Sequence, residues 1–140
     1  MNMIEIQGLT KRYGDFTLDS LSLTLPEGCV LGLVGENGAG KTTTLRLLLG
    51  MAKPDGGRAA ILGTEISGDL LAVKRELGVV MDEPGLPQCM TARQAGRLMA
   101  GIYDGWDGAY YDALLRRLDV PVEKEFKELS RGNRMKLGIA

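Results

Sequence analysis

Neither sign of charge is in excess: 17 lysines and arginines stand against 18 aspartates and glutamates, a formal net charge of −1. Nucleic-acid-binding surfaces are basic, so this balance argues against a general nucleic-acid partner. Cysteine is scarce. Cys29 and Cys89 have neither metal-ligand nor redox-motif spacing, and buried thiols in a reducing cytosol are expected. No stretch approaches the roughly 20 apolar residues needed to cross a bilayer, so a membrane role is expected to come through a partner. The start, Met1-Asn2-Met3-Ile4-Glu5, has neither the basic nor the apolar region of a secretory signal. Aromatics are few, at 5%, but 44% hydrophobic and 25% charged residues are ordinary for a soluble globular protein. A chain of 140 residues is enough for one domain burying roughly two-thirds of its unfolded surface.

What the chain has in number is glycine, 20 residues scattered at turns without a repeat period. The most informative of them lie in Gly35-Glu36-Asn37-Gly38-Ala39-Gly40-Lys41-Thr42, which fits the phosphate-binding loop G-x-x-x-x-G-K-[ST]. The apolar run Cys29 to Val34 before it reads as a strand buried on both faces. Lys41 to Leu49 behind it reads as a helix with Leu45, Leu48 and Leu49 on one face, ended by Gly50. Such glycines let successive N–H groups point at phosphate oxygens, above the positive end of the helix. Lys41 would reach the β- and γ-phosphates of a nucleotide, and the Thr42 hydroxyl would ligate Mg²⁺. Strand before and helix after argue against a chance match.

Taken in order, Met3 to Gln7 alternates like a half-buried strand, Gly8 to Gly14 reads as a turn region, and Leu21 to Leu25 alternates again. Pro26-Glu27-Gly28 turns the chain into the strand before the loop, suggesting an antiparallel layer against a parallel core. Tyr13 could stack on a base, although by pattern alone a core or surface tyrosine is the plainer reading. Arg58 to Leu62 is a short strand. Asp69 caps a helix through Glu76, and Leu77 to Met81 reads as another buried strand.

The character changes at Asp82 to Pro87, a joint rich in breakers, and no later segment reads as a strand. Thr91 to Gln94 fits a capping box opening a helix with Ala95, Leu98, Met99 and Ile102 on one face. Asp107 caps a second, with Tyr111, Leu114, Leu115 and Leu118 in helical spacing, and Trp106 reads as a buried aromatic at its start. After the charged stretch Glu123 to Glu128, Ser130 caps a last helix running to Ala140. The expected division is an α/β core over 1–83 and a helical subdomain over 84–140.

With the phosphate loop and Leu129-Ser130-Arg131-Gly132-Asn133, the chain resembles the ATP-binding subunits of ABC transporters. The family signature is Leu-Ser-Gly-Gly-Gln; Arg131 and Asn133 depart from it, while Ser130 and Gly132 match. Alone, this pentapeptide would be an ordinary helix cap. The resemblance implies an α/β P-loop NTPase (ABC ATPase) core with an antiparallel β layer and a helical subdomain, truncated before the Walker B strand. Tyr13 then matches the adenine-stacking aromatic, Gly35 to Thr42 the phosphate loop, and Thr43 an additional phosphate contact. Ser130 and Gly132 match the signature that touches the γ-phosphate held by an opposite subunit. The implied cofactors are ATP and Mg²⁺. The implied partners are a second ABC ATPase subunit and integral membrane subunits, with no nucleic acid, at the cytoplasmic face of the membrane. Leu86 to Gln94, Tyr103 to Asp107 and Phe126 to Ser130 are similar to the export-type subgroup, linked to drug or peptide export.

Asp82 aligns with the family's Q-loop glutamine, and Glu83 takes the place if the loop shifts by one; an exposed acidic loop is the plainer alternative. A carboxylate there can bind Mg²⁺ or orient water but brings negative charge toward the γ-phosphate, so Asp82 is expected to weaken or re-tune coupling to the membrane partner. The Walker B aspartate, the catalytic glutamate and the switch histidine are missing, and the chain has no histidine at all. No catalytic residue is therefore assigned beyond Asp82, hydrolysis by this chain alone is expected to be very slow, and the chain is expected to be a fragment of a longer ATPase. The alternatives are a soluble ABC ATPase of translation or DNA repair, and a non-catalytic nucleotide-binding module.

Overall fold

The computed structural model describes residues 1–81 and 85–140. They form two compact units, Met1–Gly78 and Val79–Ala140.

The first unit starts with a long antiparallel hairpin. Strand β1 (Asn2–Tyr13) pairs with β2 (Phe16–Pro26), and Tyr13 faces Phe16 across the Gly14-Asp15 turn. Most of the expected turn region between Gly8 and Gly14 is therefore strand. The alternation of side chains breaks at Gly8, but the backbone pairing continues through it. Gly8 has φ +59°, and the register shifts on both sides of β1 there, as at a β-bulge. Strand β3 (Gly56–Ile61) lies on the other edge of β1, followed by the short β4 (Thr64–Glu65), giving the order β2-β1-β3-β4. Gly57 crosses so close to the bulge that a Cβ on it would lie 2.1 Å from the Gly8 carbonyl oxygen.

Helix α1 (Lys41–Leu48) covers this sheet through Leu47 and Leu48, which join Ile6, Leu9, Ala59 and Ile61 in one core. The buried stripe is Thr44, Leu47 and Leu48, one position away from the expected Leu45, Leu48 and Leu49; Leu45 faces outward and Leu49 is half-buried. Gly50 ends the helix as expected: its N–H donates to the Leu47 carbonyl at 3.0 Å, and that of Met51 to the Arg46 carbonyl at 2.8 Å. The pair is a Schellman closure. Helix α2 (Leu71–Arg75) is opened by the Asp69 carboxylate, which accepts from the Leu71 N–H at 2.9 Å.

Two expected strands are absent among the described residues. The run 29–34 forms no strand, with Val30 100% and Val34 94% exposed. Val79, Val80 and Met81 are also exposed and unpaired. A strand of a parallel sheet exists only with hydrogen-bonded neighbours at its edges. No described residues supply them to either run. The cysteines, too, are exposed instead of buried: Cys29 lies in the unpaired run, and Cys89 in a turn.

The second unit is helical. Helix α3 (Ala92–Ile102) carries the expected capping box: Thr91 Oγ1 accepts from the Gln94 N–H at 3.2 Å, and Gln94 Oε1 from the Thr91 N–H at 2.9 Å. Its packed face is Ala92, Ala95 and Gly96, whereas Leu98 and Ile102 are exposed. The small face is dictated by Tyr111 of α4 (Gly108–Arg117), whose ring would lie 2.5 Å from a Cβ on Gly96. Tyr111 and Leu115 are buried, and Asp107 caps α4 through the Tyr110 N–H at 2.9 Å. Trp106 is half-buried, tilted against Tyr111 with ring centroids 5.2 Å apart. A 3₁₀ turn, Phe126–Glu128, leads to helix α5 (Arg131–Ile139).

Candidate nucleotide site

The loop Gly35 to Thr42 folds tightly against the start of α1. Ala39 N–H donates to the Glu36 carbonyl at 3.1 Å, and the chain passes through Gly38 at φ +89° and Gly40 at φ +96°. Gly40 is the N-cap. A Cβ there would crowd Leu18 Cδ1 at 3.0 Å and Phe16 Cζ at 3.1 Å, so the loop rests closely on the start of β2. No side chain caps this helix, which leaves its first N–H groups without an intrahelical acceptor. Thr44 fixes the cap from below: its N–H and its hydroxyl both donate to the Gly40 carbonyl, at 2.8 and 2.9 Å.

Lys41 opens the helix and bends back over the loop. Its ammonium donates to the Gly35 carbonyl at 2.5 Å and to the Glu36 carbonyl at 2.7 Å. Thr42 is exposed and Thr43 half-buried beside it. An open groove of about 340 Å³ runs here, lined by Asn37, Gly38, Gly40, Lys41, Thr42 and Thr43 together with Phe16. Phe16 was not legible as a site residue, because nothing local marks the residue opposite Tyr13 across a turn. Thr44 was not singled out either, although it closes the run of three threonines after Lys41.

Tyr13 is exposed at the hairpin tip and does not line that groove; its register partner Phe16 does. Asp82, assigned to the Q-loop position and to the metal, lies outside the described residues, as does Glu83. Ser130 and Gly132 belong to the second unit. Ser130 caps α5, its Oγ accepting from the Asn133 N–H at 3.2 Å, and both residues are exposed. The segment before them is held by a residue not singled out from the sequence. Arg134 donates to the carbonyls of Phe126 (3.1 Å), Leu129 (3.1 Å) and Lys127 (3.0 Å).

The loop suits a phosphate ligand on its own evidence: a helix start with uncapped N–H groups, two positive-φ glycines and an ammonium already facing oxygen acceptors. Thr42, exposed and lining the groove, would suit Mg²⁺ as a protein ligand, because that ion keeps waters and phosphate oxygens among its ligands and needs only one or two from protein. A larger groove, about 600 Å³, lies in the second unit between α3 and α4, with Arg93, Arg97 and Arg116 at its rim. Both of its helices start from side-chain caps, Thr91 and Asp107, and Arg93 is paired with Glu123.

Residues 18–140 match the ABC transporter family. The chain is 30% identical over 141 residues to the bacitracin transport ATP-binding protein BcrA of Enterococcus faecalis, covering 99% of this chain and 46% of the relative. It is 37% identical over 145 residues to the Nod factor export ATP-binding protein I of Ralstonia nicotianae, covering 99% and 45%. The chain thus spans about half the length of the curated relatives it matches. Among solved structures, the ATP-binding subunit of an ABC transporter superposes with a TM-score of 0.80 at 27% identity, over 98% of this chain and 60% of that one. The chain belongs to the ABC transporter family, and its fold is the α/β P-loop fold of that family's ATP-binding subunits.

Proposed function

We propose that this chain binds Mg-ATP at the Gly35–Thr42 loop, within an ATP-binding subunit that dimerises and powers export of a small molecule, drug or peptide through separate membrane subunits. The observation that carries the reading is the loop itself, seated on the hairpin and running into the uncapped start of α1 with Lys41 turned toward it. In that role the N–H groups of Gly38 to Thr43 and the Lys41 ammonium hold the triphosphate, and the Thr42 hydroxyl offers an oxygen to Mg²⁺. When bound, the metal supplies charge neutralisation at the phosphates. Tyr13 serves as the base-stacking aromatic. Asp82 stands at the position that senses the γ-phosphate and the metal.

Ser130 and Gly132 complete the nucleotide site of a second subunit, the exposed cap of α5 offering a hydroxyl and free N–H groups to a γ-phosphate. The proposed division of labour is a nucleotide-holding core over 1–83 and a helical subdomain over 84–140 that meets the partners. Among the described residues no helix is long and apolar enough to cross a membrane. In this proposal attachment at the cytoplasmic face comes through separate membrane subunits. The export name of the Nod factor relative supports that direction of transport.

The test is transport. Cells expressing the whole protein with its membrane subunits should extrude substrate in an ATP-dependent way, and Lys41→Ala should abolish it. Undiminished extrusion by the Lys41→Ala protein would rule the proposal out.

A further inference from the structure

The turn after α1 is stitched to the tip of the β1–β2 hairpin by a single residue. Asp55 makes three bonds to consecutive residues of β1. Its N–H donates to the Thr10 carbonyl at 2.9 Å, its Oδ2 accepts from the Arg12 N–H at 2.8 Å, and its Oδ1 accepts from the Lys11 ammonium at 3.0 Å. The Lys11 side chain is only 15% exposed, so this ammonium is held in place and does not sweep through solvent. Lys11 and Tyr13 lie two apart on β1 and share a face of the strand. The held ammonium sits over the Tyr13 ring, 5.1 Å from its centroid. That distance is within the range of a cation–π contact.

We propose that Asp55 is a positioning residue for the nucleobase: through Lys11 it fixes the Tyr13 ring, covers one ring face with a cation and leaves the other for a purine. The inference rests on the reading of Tyr13 as the base-stacking aromatic. A ring fixed beforehand loses less freedom when a base stacks on it, which is where affinity is gained. The Arg12 N–H and the Lys11 ammonium hold the Asp55 carboxyl below its ordinary range, as a carboxylate kept charged by these contacts requires. Asp55 touches neither base nor phosphate in this scheme, so its effect is confined to ligands that carry a base.

The experiment measures dissociation constants of the 140-residue chain for Mg-ATP and for Mg-tripolyphosphate, which has the phosphates and no base. Asp55→Asn is expected to weaken ATP binding roughly two- to fivefold and leave tripolyphosphate unchanged. Lys11→Met, which leaves the Thr10 and Arg12 bonds in place, should give the same selective loss, and Lys11→Arg should retain native affinity. In a Tyr13→Ala background, Asp55→Asn should cost nothing further. The inference is overturned if Asp55→Asn and Lys11→Met bind ATP like the native chain, if they weaken both ligands alike, or if their loss adds to that of Tyr13→Ala. An unchanged ATP-to-tripolyphosphate ratio in Tyr13→Ala alone would instead overturn the assignment of Tyr13, and the inference with it. Failure of the native chain to bind either ligand would overturn the nucleotide reading itself.

Discussion

The Lys41 ammonium donates to the Gly35 carbonyl at 2.5 Å, closing the phosphate loop with the cation that a phosphate would engage. The loop is thus pre-shaped by its own lysine. A charge-assisted hydrogen bond from such an ammonium to a bound phosphate contributes about 1.5–3 kcal/mol. Lys41→Ala should therefore lower Mg-ATP affinity roughly 10- to 100-fold, as read by fluorescence titration of a labelled nucleotide. The melting temperature without nucleotide should barely move, because the two carbonyls freed are exposed to water.

A Cβ on Gly40 would be crowded. Alanine there would press on Leu18 Cδ1 and Phe16 Cζ at 3.0 and 3.1 Å and would also have to hold φ at +96°. The left-handed backbone alone costs about 1–2 kcal/mol. Gly40→Ala should lower the melting temperature and abolish detectable nucleotide binding. Adding Phe16→Ala should recover part of the stability, since it relieves the contact but not the backbone strain.

Arg134 ties the 3₁₀ turn to α5. Its guanidinium stacks 4.8 Å from the Phe126 ring centroid while donating to three carbonyls. Arg134→Ala should destabilise the second unit by about 1–3 kcal/mol in a denaturant titration followed by Trp106 fluorescence. Lysine has no planar fork, so Arg134→Lys should recover only a fraction.

Tyr111 sets an alkaline limit on the same unit. Burial pushes its hydroxyl from 10.0 up to about 12, with the nearby Asp112 charge adding to the effect, and that hydroxyl donates to the Ala92 carbonyl at 2.7 Å. A group whose value is raised on folding stabilises fully below its unfolded value, here 10.0, and loses that contribution as the pH rises through about 12. Melting curves of the second unit should therefore fall between pH 10 and 12. In Tyr111→Phe this component of the fall should be absent, at the expense of a lower plateau from the lost hydrogen bond.

Features decided by near neighbours were the legible ones. The phosphate loop, the caps at Thr91, Asp107 and Ser130, and the Gly50 stop each depend on a few consecutive residues, and each forms. Helix faces were harder. Leu45, Leu98 and Ile102 looked like core because they are large and apolar, but which stripe packs is chosen by the partner: Tyr111 requires the smallness of Gly96. The runs 29–34 and 77–81 have the composition of buried strands without neighbours to pair with among the described residues. Contacts between distant segments were invisible altogether. Nothing in the spacing of Lys11, Tyr13 and Asp55, or of Phe16 and Gly40, announces that they meet.

The central claim is that the Gly35–Thr42 loop holds the nucleotide, and backbone amide NMR of the chain titrated with Mg-ATP tests it most directly. The account predicts saturable shifts of the Gly38 to Thr43 amides, with smaller ones at Tyr13 and Phe16. Unmoved loop amides, or shifts confined to Arg93, Arg97 and Arg116 around the groove of the second unit, would contradict it.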